Sequence, residues 1–187
     1  MEYLQSFKSE LLGATIYVAP ALSLQPFTRI IAFYGGIFSQ WAECDIYIPE
    51  LDERVNCAEQ AMMLHKAKLF NDMEMYDAIL TADHPRDQKM YGRMISNFDV
   101  DVWSGQCEEI VSNINFHKFS QSKAWKELLI LTHGYELVEA SPSDKIWGVG
   151  LSEDNKDVAD HSKWQGTNLL GKCIMNARTR IITEEQI

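Results

Sequence analysis

The alternation of apolar and polar positions divides the chain into a β-rich beginning, a helical middle and a mixed end. Ala14-Thr15-Ile16-Tyr17-Val18-Ala19 is rich in β-branched and aromatic residues and stops at Pro20. Thr28-Arg29-Ile30-Ile31-Ala32-Phe33-Tyr34 is a second such run, broken by Gly35-Gly36. Both patterns predict strands. Cys44 to Pro49 predicts a third, with a turn over residues 49–53. Asn56 precedes an apolar stretch and Glu59 follows it by three residues, the capping-box spacing, which predicts a helix from about Cys57 to Phe70 capped by Asn56. Residues 72–82 predict a second helix, ending before His84-Pro85. Pro85 suits the first turn of a third, through Arg86, Gln88 and Met90. A fourth runs from about Ser104 to Lys118, with Ile110, Ile114 and Phe116 among its apolar positions. Ser122 opens a fifth, with Trp125, Leu128, Leu129 and Leu131 facing inward, that stops near His133-Gly134. Glu136 to Ala140 is a short strand, Asp144 to Gly150 a turn-rich connection, and Leu151 to Ser162 a polar, acidic stretch expected to be exposed. The last helix begins near Thr167-Asn168 and places Leu170, Cys173, Ile174, Ala177 and Ile181 on one face. No repeat, low-complexity tract or linker interrupts the chain, which predicts one domain.

Composition narrows the classes of function. The 187 residues are 46% apolar, enough for a substantial core, and the formal net charge is −10. An acidic protein has no electrostatic footprint for generic binding to nucleic-acid phosphates, although a pocket can be locally positive. No run approaches the ~20 apolar residues of a transmembrane helix. The beginning, Met1 to Ser6, lacks a basic region followed by an apolar stretch, so no secretory signal is expected. Cys44, Cys57, Cys107 and Cys173 are far apart, and the five histidines show no ligand spacing. Reduced thiols, no metal, no membrane association and a cytoplasmic location are the expectation. No phosphate-binding Walker loop or Gly-x-Ser-x-Gly elbow is present.

The candidate chemistry lies in three places. Glu59, Met62, Met63, Lys66 and Phe70 fall on one helical stripe. Two of these five are ionisable, and Glu59 and Lys66 lie roughly 10 Å apart along the axis. They either snorkel from the edge of a core or flank a sugar-sized ligand. In Asp144-Lys145-Ile146-Trp147-Gly148-Val149-Gly150, an aromatic beside glycines either stacks on a base or ribose, or anchors a tight turn. Gly166-Thr167-Asn168 opens the last helix and either receives an anion or merely caps. Arg93 after Gly92 is a candidate phosphate ligand, and Phe38, Trp41, Trp103 and Trp147 are either pocket walls or core.

These blocks, in order, resemble the NADAR/YbiA-like family. The resemblance rests on Phe38-Ser39-Gln40-Trp41, on Ala58-Glu59-Gln60-Ala61-Met62-Met63-Leu64-His65-Lys66-Ala67, and on Pro85 to Gly92-Arg93. Val102-Trp103, Lys118-Phe119-Ser120-Gln121, Leu137 to Gly150, Gly166 to Gly171 and Met175 with Arg178 complete it. The resemblance implies an α+β fold, a single helix-rich domain with a small β-sheet, over residues 30–182. Residues 1–29 would form a partly stranded extension and 183–187 a tail. It implies an N-glycosidase that cleaves a (phospho)ribose or ADP-ribose from a base or amine, as family members do on riboflavin-pathway intermediates or ADP-ribosylated guanine. No cofactor is implied, and the partner is a small phosphorylated ribosyl or ADP-ribosyl substrate. By matching, Glu59, Lys66 and Asp144 would be catalytic. Phe38, Gln40, Trp41, Arg93, Trp103, Lys118, Trp147, Gly148 and Asn168 would bind substrate. Gln40 departs from the family's asparagine, and Val149 stands where some riboflavin-type relatives carry an acid. A non-catalytic ADP-ribose- or nucleotide-binding module is the alternative.

Overall fold

A computed structural model describes residues 5–18 and 29–185. Ala19, Pro20 and Thr28, at the ends of the first two predicted strands, lie outside them. The fold is α+β and comprises two compact units, residues 1–39 with 123–187, and residues 40–122.

The first unit is built on a four-stranded sheet. β1 (Gln5–Ser9) and β2 (Ala14–Val18) pair antiparallel, as do β2 and β3 (Arg29–Phe33). A fourth strand, Glu136–Glu139, runs parallel to β3, with Ile31 opposite Leu137. The described part of the predicted extension is thus hydrogen-bonded into the sheet. β1 was not legible in the sequence because Gln5-Ser6-Phe7-Lys8-Ser9 has too few apolar positions to show alternation.

One sheet face carries Tyr17, Ile30, Ala32 and Val138, which cluster with Ala140, Val149, Leu151 and Val158. The stretch expected to be an exposed loop therefore buries two of its apolar residues and forms short 3-10 turns at Lys156–Ala159 and His161–Lys163. Polar ties hold it down: Lys8 pairs with Glu153 at 2.9 Å, the Tyr17 hydroxyl donates to the Glu153 carbonyl, and His161 Nε2 lies 2.6 Å from Glu136 Oε2. Two helices of this unit, Lys123–Leu131 and Leu169–Glu185, pack together, and the second also packs on the Glu136–Glu139 strand. The predicted stripe Leu170, Cys173, Ile174, Ala177 and Ile181 is buried. Arg178, on the same helix, donates to the carbonyls of Thr132 and Tyr135 at 2.7 and 3.0 Å, which satisfies the end of the preceding helix. Leu131 does not face inward: it is 76% exposed, because that helix is amphipathic about Leu129 and Leu131 falls on its outer side. Residues 183–185 of the expected tail are the last turn of the final helix.

The second unit is helical, with a small antiparallel hairpin of Ile46–Ile48 and Glu53–Val55. In chain order the six strands are β1 to β6, so this hairpin is β4–β5 and Glu136–Glu139 is β6. The helices are α1 (Ala58–Leu69), α2 (Met73–Thr81), α3 (Pro85–Met94) and α4 (Val100–Ser120); those of the first unit are α5 and α6. Helix α1 packs against α2, α3 and α4 and is buried on several sides of its first two turns. Its cap differs from the expected one. Cys57, not Asn56, is the N-cap: its sulfur accepts from the Gln60 amide, and the Gln60 side chain reaches back to the Asn56 N–H at 2.9 Å. The capping box is thus shifted by one residue, and burial pushes the Cys57 thiol up to about 12, so it caps as a neutral S–H. The Asn56 side chain bonds instead to Gln88 and to the Asp83 carbonyl. No described helix is long and apolar enough to cross a membrane.

Candidate active site

In the helical unit, the segment after Ser39 is stitched to the start of α1. The Gln40 carbonyl accepts the Glu59 N–H at 2.9 Å, and the Cys44 N–H donates to the Asn56 carbonyl at 2.9 Å. The Gln40 side chain donates through Nε2 to Asn115 Oδ1 at 3.2 Å, and Asn115 donates in turn to the Val111 carbonyl at 2.9 Å. Two blocks far apart in sequence are therefore joined at one point, the first turn of α1. Glu59 sits in that turn and is only 3% exposed. A buried carboxylate is expensive. The partial positive charge of a helix N-terminus offsets part of the cost and favours the ionised form. Of the two readings of the stripe, snorkelling is excluded for Glu59.

Lys66, two turns on, is half-buried. Its Nζ donates to the Gly92 carbonyl at 2.7 Å and lies 4.2 Å from the centre of the Phe98 ring. Burial lowers its pKa, the nearby Arg93 lowers it further, and Glu59 opposes both. A lysine in this state gives up its proton more readily than one in water, which suits a nucleophile; while it keeps the proton it suits a phosphate contact. Arg93 and Trp41 are exposed, with Lys89 Nζ 6.0 Å from the Trp41 ring. Trp103, half-buried, lies in the first turn of α4 and Lys118, fully buried, in its last; the helix rise separates them by roughly 22 Å.

In the sheet unit the predicted site residues have structural work. Asp144 Oδ1 accepts the N–H groups of Ile146 and Trp147 at 2.9 and 2.8 Å, so the spacing to Trp147 reflects a side-chain-capped turn. At Gly148 protein backbone closes around the Cα, as a tight turn requires. A Cβ there would lie 2.9 Å from the Glu139 carbonyl oxygen and 3.0 Å from that of Asp144. Asn168, in left-handed geometry at φ 53°, spends its amide on β6, accepting from the Glu139 N–H and donating to the Leu137 carbonyl, both at 2.9 Å. Its side chain is therefore a clasp between α6 and the sheet. Phe38 is fully buried with its ring centre 5.3 Å from that of Phe33, which makes it core. Trp147 is half-buried and its carbonyl accepts from the Leu170 N–H. Val149 lies in the apolar cluster over the sheet.

Several polar residues at these places were missed. Gln60, Gln88 and Asn115 are buried amides inside helices, and Glu139 is a buried carboxylate at the end of β6, its N–H and carbonyl held by Asn168 and Val149. Periodicity assigns such residues to outward faces. The only signal was their placement at otherwise core-facing positions. An open cleft of ≈ 420 Å³ is lined by Cys44, Asp45, Arg54, Asn56, Gln60 and Asp83, among others, but by none of the predicted site residues. No group of three or more His, Cys, Asp or Glu among the described residues is placed to hold a metal.

His65, beside Lys66, titrates against this framework. Burial lowers its pKa, Lys68 and His117 lower it further, and Glu50, which lies 3.2 Å from His117, partly compensates. The folded state then binds the proton less well than the unfolded state, whose histidine titrates at about 6.5. The stability from neutral His65 is complete above that value and lost as pH falls through it. The melting temperature should therefore drop between about pH 7.5 and 5.5, and His65→Leu should flatten part of that slope; parallel slopes in the two proteins would discount the effect.

The fold and these blocks define a class. The NADAR domain family profile matches residues 32–182, and the chain belongs to that family. Among curated proteins it is 41% identical over 146 residues to N-glycosidase R617 of Acanthamoeba polyphaga mimivirus, covering 76% of this chain and 85% of that one. It is 35% identical over 135 residues to protein irg-1 of Caenorhabditis elegans, covering 71% of this chain and 64% of the worm protein, just under two thirds of its length. Against the chloroplastic riboflavin biosynthesis protein PYRR of Arabidopsis thaliana it is 27% identical, spanning 93% of this chain but 30% of the plant protein. The NMR structure of the Escherichia coli protein YbiA shares the fold, with a TM-score of 0.69 at 24% identity over 90% of this chain and 94% of that one.

Proposed function

We propose that this chain is an N-glycosidase that hydrolyses the bond between a ribosyl carbon and a nitrogen of a base or amine. Its substrates would be small phosphorylated ribosyl or ADP-ribosyl compounds. The observation that carries this is the pair on α1: Glu59 buried in the first turn, and Lys66 two turns on with its proton loosened by burial. Membership of the NADAR family and the likeness to a viral protein named an N-glycosidase support it.

As the C–N bond breaks, its electron pair leaves with the nitrogen and the sugar becomes oxocarbenium-like. The Glu59 carboxylate stabilises that charge and takes a proton from the incoming water, whose oxygen then bonds to the anomeric carbon. The departing nitrogen takes up a proton. Lys66 serves in one of two ways: protonated, as a contact for substrate phosphate, or deprotonated, as a nucleophile whose Nζ replaces the departing nitrogen at the anomeric carbon, after which the ring C–O bond opens with its oxygen taking up a proton to leave a Schiff base, and water hydrolyses that to free sugar and lysine.

Mass spectrometry of products tests both points. The purified protein is offered riboflavin-pathway intermediates, ADP-ribosylated guanosine and NAD in parallel, with and without borohydride. Release of free base together with ribose 5-phosphate or ADP-ribose is the expected result, and no release from any of the three would reject the proposal. A reduced adduct that is absent from Lys66→Ala assigns the nucleophile role; turnover without an adduct assigns the phosphate contact.

A further inference from the structure

The amide of Gln40 is oriented by a chain of hydrogen bonds that fixes which of its two ends is left over. Asn115 Nδ2 is committed to the Val111 carbonyl one turn back on α4, so the atom Asn115 presents to Gln40 is Oδ1. That oxygen only accepts. Gln40 must therefore turn Nε2 toward it, and Oε1 becomes the other end. Gln40 is only 8% exposed, and its Oε1 is buried with no hydrogen bond to any described residue. A buried acceptor left this way is costly, and proteins rarely leave one without a reason. The residue is also rigid, since its carbonyl holds the N–H of Glu59. The orphaned oxygen is thus fixed beside the turn that carries the carboxylate.

We propose that Gln40 Oε1 is the acceptor for an N–H group on the nitrogenous half of the substrate, and that this residue selects bases or carboxamides bearing a hydrogen-bond donor. The proposal rests on the N-glycosidase reading for the identity of that half as the leaving group. Two features favour the nitrogenous half over the sugar. A carboxylate such as Glu59 suits hydroxyls and developing positive charge, whereas the unpaired carbonyl end of a neutral amide reads donor edges, where bases and carboxamides differ from one another. Trp41, the next residue in sequence, carries a 41% exposed indole, and an aromatic face together with an edge-reading amide is the combination that recognises a heterocycle. A site that hydrogen-bonds one group rejects the analogue lacking it, because its own polar atom is then stranded.

The test uses two matched pairs of phosphoribosyl N-glycosides: guanosine monophosphate against inosine monophosphate, and nicotinamide mononucleotide against nicotinic acid mononucleotide. In each pair one member carries an amino donor that the other lacks. Affinities for the full chain are measured by calorimetry. The expected result is that the donor-bearing member of at least one pair binds about tenfold more tightly or better, and that Gln40→Met brings the two members to within about twofold of each other. Gln40→Met also strands Asn115 Oδ1, so thermal melting is followed alongside. Gln40→Asn, which withdraws the same amide by one methylene, supplies a second readout in which the preference also falls. No preference in either pair, or a preference that survives both substitutions, overturns the proposal. Donor preference without any cleavage would leave it standing and remove the glycosidase reading; cleavage without donor preference does the reverse.

Discussion

Glu59→Gln should lower turnover by about a thousandfold, the scale expected when a carboxylate that works on the reacting centre is neutralised. The substitution keeps the size of the side chain and its place in the first turn of α1, so the melting temperature should move by only a few degrees. The prediction is sharp because the two readings of this residue diverge. A buried carboxylate that merely stabilises the helix start would lose stability on neutralisation and keep its rate. One that stabilises an oxocarbenium ion would lose rate and keep its stability. Substrate should still bind within a fewfold of wild type, since the positive charge it answers exists only in the transition state. Turnover within a fewfold of wild type would remove Glu59, and with it the assignment of α1 as the catalytic helix.

The second large effect is on stability and has an unexpected sign. Glycines lie inside α3, α4 and α6, and alanine normally improves such a position by about 1 kcal/mol. Gly105, in α4, has nothing within 4 Å of where a Cβ would go, and Gly105→Ala should stabilise by up to that amount. At Gly171, in α6, the same methyl would sit 2.0 Å from the Leu137 carbonyl oxygen and 2.5 Å from Asn168 Oδ1. It would push the helix off the strand and break the two hydrogen bonds through which Asn168 clasps β6. Gly171→Ala should therefore destabilise by about 3 kcal/mol or more, combining overpacking with lost hydrogen bonds. For a chain of this length that is a fall on the order of 10 °C. Thermal melting of the two variants side by side checks both signs; a rise for Gly171→Ala would mean that α6 and β6 can separate without cost.

The same residues show why the sequence was legible in some places and not in others. Helices α1 and α6 could be read because their buried faces recur at the helical period, and the ends of α2 and α3 because Asp72 and Pro85 mark them chemically. Strands β1 and β5 could not, being short and polar, stabilised by pairing rather than by apolar alternation. At the candidate site, Glu59 and Lys66 were visible because charge on an apolar stripe is conspicuous. Asn115 and Gln88 were not, because a buried amide is distinguished from an exposed one only by the partner it finds. At Gly148 and Asn168 the sequence left a ligand contact and a structural role open, and the structure shows what the structural role is: close backbone packing and left-handed geometry that join the loop, the start of α6 and β6.

The sheet has a consequence for how the chain is made. β3 pairs with β6, Ile30 opposite Glu136, and the whole of residues 40–122 is interposed between them in sequence. On the ribosome β1, β2 and β3 emerge first as a meander, whereas β6 follows on the order of a hundred residues later, a long wait at ordinary translation rates. During that interval the apolar segment Ile30-Ile31-Ala32-Phe33 presents an unpaired edge, the kind of template on which nascent chains cross-associate. The contiguous helical segment can meanwhile close its local contacts. Until β6 is made, Ile30 to Phe33 is therefore the part of the sheet with most to gain from a chaperone.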